Sequence, residues 1–260
     1  MPAARIFEKW QGMIYSIIAG INGSGKTTMF KLSALPSFNN QERINPDEIL
    51  LDFGGDWRNP ADQIAAGRIA LQKVDDCIEK GVSFHQETTL CGNAILNQIK
   101  KAKSKDYIID IYYVGLASAK LAEQRVQDRV LKGGHGIDSK LIEKRYVQSL
   151  NNLKKLIPIC DSVYLFDNTV NYTKCAYIEH NNVVFMQDKF NLPEWAQDIL
   201  NSVSSELYMQ ITKAEFMALQ KAGIDVSSKI NGDTVIIKYN PVDEAEIKAA
   251  LNPHDINQKI

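Results

Sequence analysis

The chain has 260 residues, of which 45% are hydrophobic, enough for one large domain or for a domain of about 200 residues with an appendage. Thirty basic residues against thirty-one acidic ones leave a formal net charge of -1, which excludes a general electrostatic affinity for nucleic acid or anionic membranes. No apolar run approaches the roughly 20 residues of a membrane span, and the N-terminus lacks the apolar core of a signal peptide. We therefore expect a cytoplasmic protein that binds neither membranes nor nucleic acid.

Short apolar runs alternate over the first 200 residues with stretches whose apolar positions recur at helical spacing. Apolar runs predict buried strands over residues 13–19, 107–115 and 162–167, and residues 41–45 and 82–86 are shorter candidates for the second and third strands. Helices are predicted over residues 27–34, 61–80, 93–102, 119–132 and 140–156, the last of them capped by Asp138. A hairpin over residues 174–187 follows. This alternation indicates an α/β domain around a mostly parallel sheet flanked by helices.

The character of the chain changes near residue 204, because residues 205–260 contain no arginine and carry folding signals of their own. Thr212 and Glu215 have the spacing of a capping box, Gly223 is typical of a helix end, and Asn231-Gly232 is typical of a hairpin turn. We predict a main domain over residues 1–204 and a small α+β appendage over residues 205–260.

The residues between the first predicted strand and the first predicted helix have the pattern of a phosphate-binding loop, G-x-x-x-x-G-K-[ST]. Backbone N–H groups of such a loop converge on a phosphate at the positive end of a helix. Lys26 would place its charge at the β- and γ-phosphate oxygens of ATP, and the Thr27 hydroxyl would hold Mg²⁺. The predicted nucleotide-binding residues here are Gly20, Asn22, Gly23, Ser24, Gly25, Lys26, Thr27 and Thr28.

The remainder of the sequence favours a kinase among the proteins that use this loop. The LSGGQ-like signature of transporter ATPases and the N-K-x-D motif of switch GTPases are both absent from the sequence. A kinase needs a carboxylate to orient the acceptor hydroxyl, a pocket for the acceptor, and mobile arginines that cover the phosphates.

Polar residues follow the second and third predicted strands, whose ends face the nucleotide in sheets of this kind. The carboxylate of Asp47 can accept the proton of an acceptor hydroxyl there. Glu87 and Thr89 follow the third strand at the same edge of the sheet. The alternative is structural, since Asp47 beside Pro46 could begin a turn or cap a helix, and Glu87 with Thr89 could form another cap.

Three arginines lie on the two helices predicted around residues 118–156. Arg125 and Arg129 are four residues apart on one helix face, and Arg145 lies on the next helix. A solvated charged face is the alternative interpretation. The chain has only seven arginines, however, and residues 133–136 (GGHG) form a flexible joint between the helices. These features predict a closing lid.

These stretches, in this order, resemble the zeta toxin family, P-loop kinases of bacterial toxin–antitoxin systems, and their chromosomal relatives. The matching stretches are GINGSGKTT, RINPDEI, FHQETTL, QRVQDRVLKGGHGID, KRYVQSL, LFDNT and LPEW, which span roughly residues 13–200. Family members phosphorylate a sugar hydroxyl of UDP-N-acetylglucosamine. Many of them carry an arginine shortly after the catalytic aspartate, whereas Asp47 is followed by Glu48-Ile49-Leu50-Leu51.

The resemblance implies a role for each candidate residue. Lys26 and Thr27 would handle ATP and Mg²⁺, and Asp47 would be the catalytic base. The residues implied to touch the acceptor are Glu87 and Thr89, and the lid residues implied to clamp the phosphates are Arg129 and Arg145, with Arg125 as a further candidate. Asn168 would lie near the adenine, by similarity alone.

The combined prediction is an ATP- and Mg²⁺-dependent kinase of a small hydroxyl-bearing metabolite, with a nucleotide sugar such as UDP-N-acetylglucosamine as the best single acceptor. A nucleoside or nucleic-acid-end kinase, and an ATP-binding regulatory module, remain the alternatives. The appendage has six lysines against eight acidic residues, so it could restrain the kinase in cis by covering a basic cleft, or dock a partner such as an antitoxin. Its other possible role is to pack on the edge of the sheet.

Overall fold

The computed structural model of the protein describes residues 12–33, 41–187, 191–203, 207–224, 226–231, 234–239 and 244–251. The chain forms two compact units, Met1–Ser202 and Val203–Ile260. Among the described residues, no helix has the length and apolar content that crossing a membrane would require.

Strand β1 lies inside the sheet of the first unit, and its continuous apolar run explains its position. Five of its six residues are buried, and it pairs in parallel with a neighbour on each side. Seven strands form this sheet, in the spatial order β2-β3-β1-β4-β5-β6-β7. They are β1 Ile14–Ala19, β2 Glu42–Ile44, β3 Phe84–Thr88, β4 Ile108–Gly115, β5 Ser162–Asp167, β6 Thr173–Glu179 and β7 Asn182–Met186.

The predicted mostly parallel sheet is confirmed, because every pair from β2 to β5 is parallel and only the β5–β6 and β6–β7 pairs are antiparallel. The predicted hairpin corresponds to β6 and β7, with positive φ at His180 and Asn181 in the turn between them. Strand β3 extends two residues further than predicted. Glu87 therefore lies inside the strand, and the sequence-based expectation that it follows the strand is wrong.

Helices connect the strands of this unit. They are α1 Lys26–Ser33, α2 Pro46–Asp52, α3 Pro60–Lys80, α4 Asn93–Lys103, α5 Ala119–Leu131, α6 Ser139–Leu156 and α7 Glu194–Leu200. The cap by Asp138 is confirmed, since its side chain accepts a hydrogen bond from the Lys140 amide. The predicted end of the first helix at residue 34 lies outside the described residues.

Helix α2 was not predicted from the sequence. The side chain of Asn45 accepts a hydrogen bond from the Asp47 amide, and Pro46 occupies the first helical position, where its missing N–H costs nothing. Asn45-Pro46 is therefore a helix start. Asp47 is neither a turn residue nor the cap, because it lies in the first turn of the helix.

The two helices of the predicted lid pack at their base against the phosphate loop. Ala122 and Val126 of α5 and Ile142 of α6 form one buried cluster with Ile21 and Leu116. Burial of these apolar side chains fixes the helices beside the edge of the sheet at which the loop leaves β1.

The second unit is α+β and has a core of its own. Its elements are β8 Leu207–Thr212, α8 Lys213–Lys221, β9 Ser227–Asn231, β10 Thr234–Tyr239 and α9 Glu244–Leu251, and its sheet has the order β8-β10-β9. The capping box of Thr212 and Glu215 is confirmed. The predicted turn at Asn231-Gly232 falls partly on Gly232, which lies outside the described residues. The buried core residues are Ile211, Leu219, Val235, Ile237 and Ile247.

Candidate active site

The backbone of the loop between β1 and α1 depends on glycine at three positions. Gly20, Gly23 and Gly25 all have positive φ, at 139°, 82° and 99°. Residues other than glycine rarely adopt these backbone angles. The three glycines are therefore needed for the loop to reverse direction and present its N–H groups. Ser24 is fully buried, and its backbone N–H donates to the Ile21 carbonyl at 3.1 Å.

Residues after β5 hold the outside of this loop. The Asn168 side-chain amide donates to the Ser24 carbonyl at 2.8 Å, and the Tyr172 hydroxyl donates to the Gly25 carbonyl. A Cβ on Gly25 would collide with both side chains. Asn168 thus supports the loop backbone directly, while its expected role near the adenine remains a prediction.

Lys26 is buried and directed along the loop. Its Nζ donates to the Ile21 carbonyl at 3.1 Å. Burial lowers the pKa of the ammonium, the carboxylates of Glu87 and Asp47 act in the opposite direction, and Arg129 and Arg145 lower it further. A buried ammonium with only a backbone carbonyl as its hydrogen-bond partner among the described residues has donor capacity left for an anion.

Glu87 is the centre of a hydrogen-bond network near Lys26. Its Oε1 accepts from the Thr27 hydroxyl at 2.8 Å. Its Oε2 accepts from Arg43 Nη2 at 3.0 Å and from Asn45 Nδ2 at 3.3 Å. Since Asn45 also caps α2 at Asp47, the network connects the phosphate loop to the start of that helix.

Asp47 is exposed on the first turn of α2, at the rim of the site. Its carboxylate lies near enough to Lys26 and Arg145 to oppose the effect of burial on the pKa of both. Asp47 is therefore the exposed one of the two carboxylates that line the cavity described below.

The three lid arginines have different environments. Arg145 is partly buried and donates to the Asn22 side chain at 2.8 Å, so it reaches the phosphate loop itself. Arg129 donates to the His135 carbonyl at 2.7 Å and thereby holds the joint between the lid helices. Arg125 donates to the Thr169 carbonyl at 3.0 Å and lies outside the cavity described next.

A cavity of about 240 Å³ connects these groups. It is lined by side chains from the phosphate loop, the start of α2, helix α3, the end of β3 and the lid. Of the predicted site residues, those that line it are Asn22, Lys26, Asp47, Glu87, Thr89, Arg129 and Arg145. The other predicted site residues do not line it: Gly20, Gly23, Ser24, Gly25, Thr27, Thr28, Arg125 and Asn168.

Sequence reasoning missed several residues of this site. Arg43 and Asn45 contact Glu87, and Trp57 and Gln63 form part of the cavity wall. Arg43 and Asn45 lie in the RINPDEI stretch, two residues apart around β2, and that alternation could have indicated a shared direction. Nothing in the sequence marks Trp57, since its position depends on the packing of the segment between α2 and α3.

Trp57 also contacts the lid. A Cβ built on Gly136 would lie 2.6 Å from the Trp57 ring, so the joint between α5 and α6 packs directly against the indole. The guanidinium of Arg58 covers the Trp57 ring at 4.7 Å from its centroid. The cavity is thus bounded at one end by a contact between the lid and the α2–α3 segment.

The chain is similar to known proteins in sequence and in fold. The model of the Zeta toxin family matches residues 12–189 of the chain. An uncharacterized protein of Haemophilus influenzae is 34% identical over 130 residues, which are 49% of this chain and 88% of that protein.

Solved structures are similar at lower identity. The AvrRxo1-ORF1:AvrRxo1-ORF2 complex with sulphate ions matches with a TM-score of 0.55 and 14% identity, over 95% of this chain and 77% of that one, and it supports the fold. The PezAT toxin–antitoxin system of Streptococcus pneumoniae matches with a TM-score of 0.47 and 16% identity, over 85% of this chain and 91% of that one. The Pnkp1/Rnl/Hen1 RNA repair complex matches with a TM-score of 0.45 and 19% identity. The match covers 56% of this chain and only 47% of that one.

The burial of Lys26 leads to a prediction about stability. Lys26→Met should unfold at the same temperature as the wild-type protein or a few degrees higher, because an apolar side chain of similar length removes the desolvation cost of a buried ammonium. Arg43→Met is the contrasting variant. It leaves Glu87 buried without its cation, and we expect a loss of about 2 kcal/mol. Thermal unfolding followed by circular dichroism measures both, and a large loss of stability in Lys26→Met would show that the lysine supports the fold.

Proposed function

Because the chain belongs to the zeta toxin family, we propose that it is an ATP-dependent kinase that transfers the γ-phosphoryl group to a hydroxyl of a small metabolite. The observation that carries this proposal is the convergence, on one cavity, of a phosphate-loop lysine, two carboxylates and two lid arginines. Phosphoryl transfer depends chiefly on positioning and on neutralising charge, and this set of groups supplies both.

The nucleotide-binding half of the cavity would hold ATP. The loop N–H groups and Lys26 would bind the β- and γ-phosphates, and Asn168 would stabilise the loop from outside. The residues present fit Mg²⁺, since the Thr27 hydroxyl meets a buried carboxylate and both are the oxygen ligands that this ion prefers. Thr27 would hold the ion, which when bound to ATP supplies charge neutralisation between the β- and γ-phosphates.

Asp47 would act as the base. Its carboxylate accepts the proton of the acceptor hydroxyl while the hydroxyl oxygen attacks the γ-phosphorus, and the bond to the β–γ bridging oxygen breaks to leave ADP. Arg129 and Arg145 would stabilise the negative charge on the transferred group, because they line the cavity from the lid.

The acceptor-binding half has the composition expected for a carbohydrate or another uncharged ring. Its wall is formed by Leu50, Trp57, Gln63, Ala66 and Gly67, and Asp47 is the only charged residue that the segment 46–67 contributes to the described lining. An aromatic ring beside an amide suits a sugar, which offers apolar C–H faces and hydroxyls. This supports a nucleotide sugar such as UDP-N-acetylglucosamine as the acceptor, with Glu87 and Thr89 as the contacts that the family resemblance implies.

The base assignment can be tested directly. Labelled ATP incubated with UDP-N-acetylglucosamine, other nucleotide sugars and nucleosides should give label transfer to a sugar nucleotide. Asp47→Asn should reduce that transfer by roughly 10² or more and leave ATP affinity within about tenfold, because only a positioned base is lost. Transfer to nucleosides alone would favour a nucleoside kinase. ATP turnover that no acceptor stimulates would favour a regulatory ATPase.

The lid arginines provide a second test with a matched control. Arg145→Ala should lower kcat by about 10², with a smaller effect on ATP affinity, because a clamping arginine acts mainly on charge in the transition state. Arg125→Ala removes the same side chain from a position outside the cavity, and it should change kcat by less than about threefold. Steady-state kinetics with varied ATP measure both. Equal effects of the two substitutions would contradict the assignment of Arg145 to the site.

A partner is the remaining part of the proposal. We infer a role for residues 205–260 either as a restraint on the kinase or as a docking unit for an antitoxin, since this segment lies outside the family match and has its own core. Truncation after Ser204 separates these roles. Higher activity or cell toxicity of the truncated protein supports restraint, unchanged activity leaves docking, and insolubility indicates that the segment completes the fold.

A further inference from the structure

The turn between β3 and α4 carries Thr89 into the cavity, and its backbone is strained at the next residue. Leu90 has a φ of 60°, in the left-handed region that a leucine rarely adopts. A residue held in this region has a cost in free energy, and it persists only where the surrounding structure fixes it. The contacts that fix the turn therefore determine where Thr89 lies.

Asn152 of α6 makes the contacts that hold this turn. Its side-chain amide donates to the Leu90 carbonyl at 2.9 Å and to the Gly92 carbonyl at 3.2 Å. An amide nitrogen has two N–H groups, so both donors of Asn152 are directed to the turn. Asn152 is only 4% exposed, and a carbonyl that lost its donor there would have little access to water in exchange. Within the segment itself, the Leu90 amide donates to the Thr88 hydroxyl at 3.1 Å, which links the turn to no other element.

The helix that supplies Asn152 also carries a lid arginine. Arg145, Ser149 and Asn152 recur at intervals of four and three residues, so they lie on one face of α6. Arg145 reaches the side chain of Asn22 in the phosphate loop. Ser149 is hydrogen-bonded to the Tyr113 hydroxyl of β4 at 3.0 Å. One helix face thus connects the phosphate loop, strand β4 and the turn that carries Thr89.

Cys91 forms a weaker link between the same turn and the same helix. Its sulfur lies 3.5 Å from the Arg145 carbonyl oxygen and 3.4 Å from the Thr89 carbonyl oxygen, within reach of a weak S–H hydrogen bond. Burial raises the pKa of the Cys91 thiol, so the group stays protonated and reacts slowly with alkylating reagents while the turn is in place. Cys91 therefore reports the state of the turn.

We propose that Asn152 is a positioning residue for the acceptor: it holds the strained turn of residues 89–92 so that Thr89 lines the cavity, and it fixes this turn to the helix that carries Arg145. The inference rests on the proposed function, because Thr89 has an acceptor to bind only if the protein is a kinase. A displacement of about 1 Å in a positioning group costs about 10²-fold in rate. Loss of Asn152 should therefore weaken the use of the acceptor and leave nucleotide binding at the phosphate loop unchanged.

The test compares acceptor use with nucleotide binding in the full-length protein. The acceptor is UDP-N-acetylglucosamine, or another nucleotide sugar that the wild-type protein phosphorylates with labelled ATP. Asn152→Ala should raise the KM for this acceptor by about tenfold or more, and it should change the Kd for ADP, measured calorimetrically without acceptor, by less than about threefold. Asn152→Leu fills nearly the same space without N–H donors. It should show the same change, and it decides the question if Asn152→Ala does not fold.

Alkylation of Cys91 gives a readout that does not depend on activity. The folded protein is treated with iodoacetamide, and modification of each cysteine is followed by peptide mass spectrometry. If Asn152 holds the turn, both Asn152 variants should be alkylated at Cys91 at least about tenfold faster than the wild type. The buried cysteines should keep their wild-type rates and so show that the remainder of the fold is intact; they are Cys77, Cys160 and Cys175.

Ser149→Ala is the matched control. Ser149 is fully buried on the same face of α6, and its replacement removes a buried hydrogen bond of that helix to Tyr113 rather than to the turn. The KM for the acceptor and the alkylation rate of Cys91 should stay within about threefold of the wild type. Equal changes in Ser149→Ala and Asn152→Ala would show that any damage to α6 has this effect, and they would overturn the positioning role.

The outcomes separate this inference from the function on which it rests. If the wild-type protein transfers label to no nucleotide sugar, the proposed function fails, and the acceptor role of Asn152 fails with it. If the wild type transfers label and the folded Asn152 variants keep its acceptor KM, or lose acceptor and ADP binding equally, the inference alone is overturned. A raised acceptor KM with faster alkylation of Cys91, with unchanged ADP binding and with Ser149→Ala unaffected, supports the proposal.

Discussion

The parallel pairing of β1 with β3 is the constraint on which the rest of the site depends. It places Ile18 opposite Glu87 and Ala19 opposite Thr88, so the phosphate loop that follows β1 begins beside the polar end of β3. Because β2 pairs with the other edge of β3, the residues that follow β2 reach the same point. Thr27, Glu87, Asn45 and Asp47 are distant in sequence, and this strand order alone brings them together.

The site holds charged side chains in a buried environment, and burial disfavours their charged forms. Burial lowers the pKa of Lys26 and of Arg145, so both cations are held at a cost in folding free energy. The partners of the cavity cations in the described structure are neutral oxygens. Lys26 is bonded to a backbone carbonyl, Arg129 to another, and Arg145 to a side-chain amide. Arg43, by contrast, is paired with carboxylates. The cavity cations therefore retain most of their attraction for an anion, and Arg43 does not.

The sequence predicted the fold largely because its signals are local. A continuous apolar run identifies a strand buried on both faces, and Asp138, Thr212 and Glu215 mark helix starts through contacts within three residues. The end of β3 was placed too early because Glu87 is charged, and a charged residue normally indicates that a buried strand has ended. Glu87 is instead accommodated inside the strand because Arg43, 44 residues away, neutralises it.

The site was predictable to the extent that a short motif defines it. The phosphate loop carries its own geometry in three glycines, and Lys26 and Thr27 follow from it. The bonds of Glu87 to Arg43 and Asn45, and the contact of Gly136 with Trp57, join segments whose proximity follows from strand order and from helix packing. Neither the strand order nor the helix packing can be read from a single sequence. For the same reason the sequence left open whether Asp47 beside Pro46 begins a turn or caps a helix, since only the helix that follows identifies Asn45 as the cap.

The departure of this chain from the family pattern after Asp47 has a structural consequence for the acceptor. Glu48 occupies the position after the aspartate, and it is bonded to Arg43 from β2. The guanidinium nearest to α2 is thus turned toward Glu48 and Glu87, and the cavity wall from residue 46 to residue 67 contributes only the negative charge of Asp47. An acceptor that carries phosphates would be repelled there unless its charged part points toward the lid or out of the cavity. Under the proposed function, this wall suits an acceptor that presents an uncharged hydroxyl-bearing ring to Asp47 and Trp57 and keeps its anionic groups at a distance.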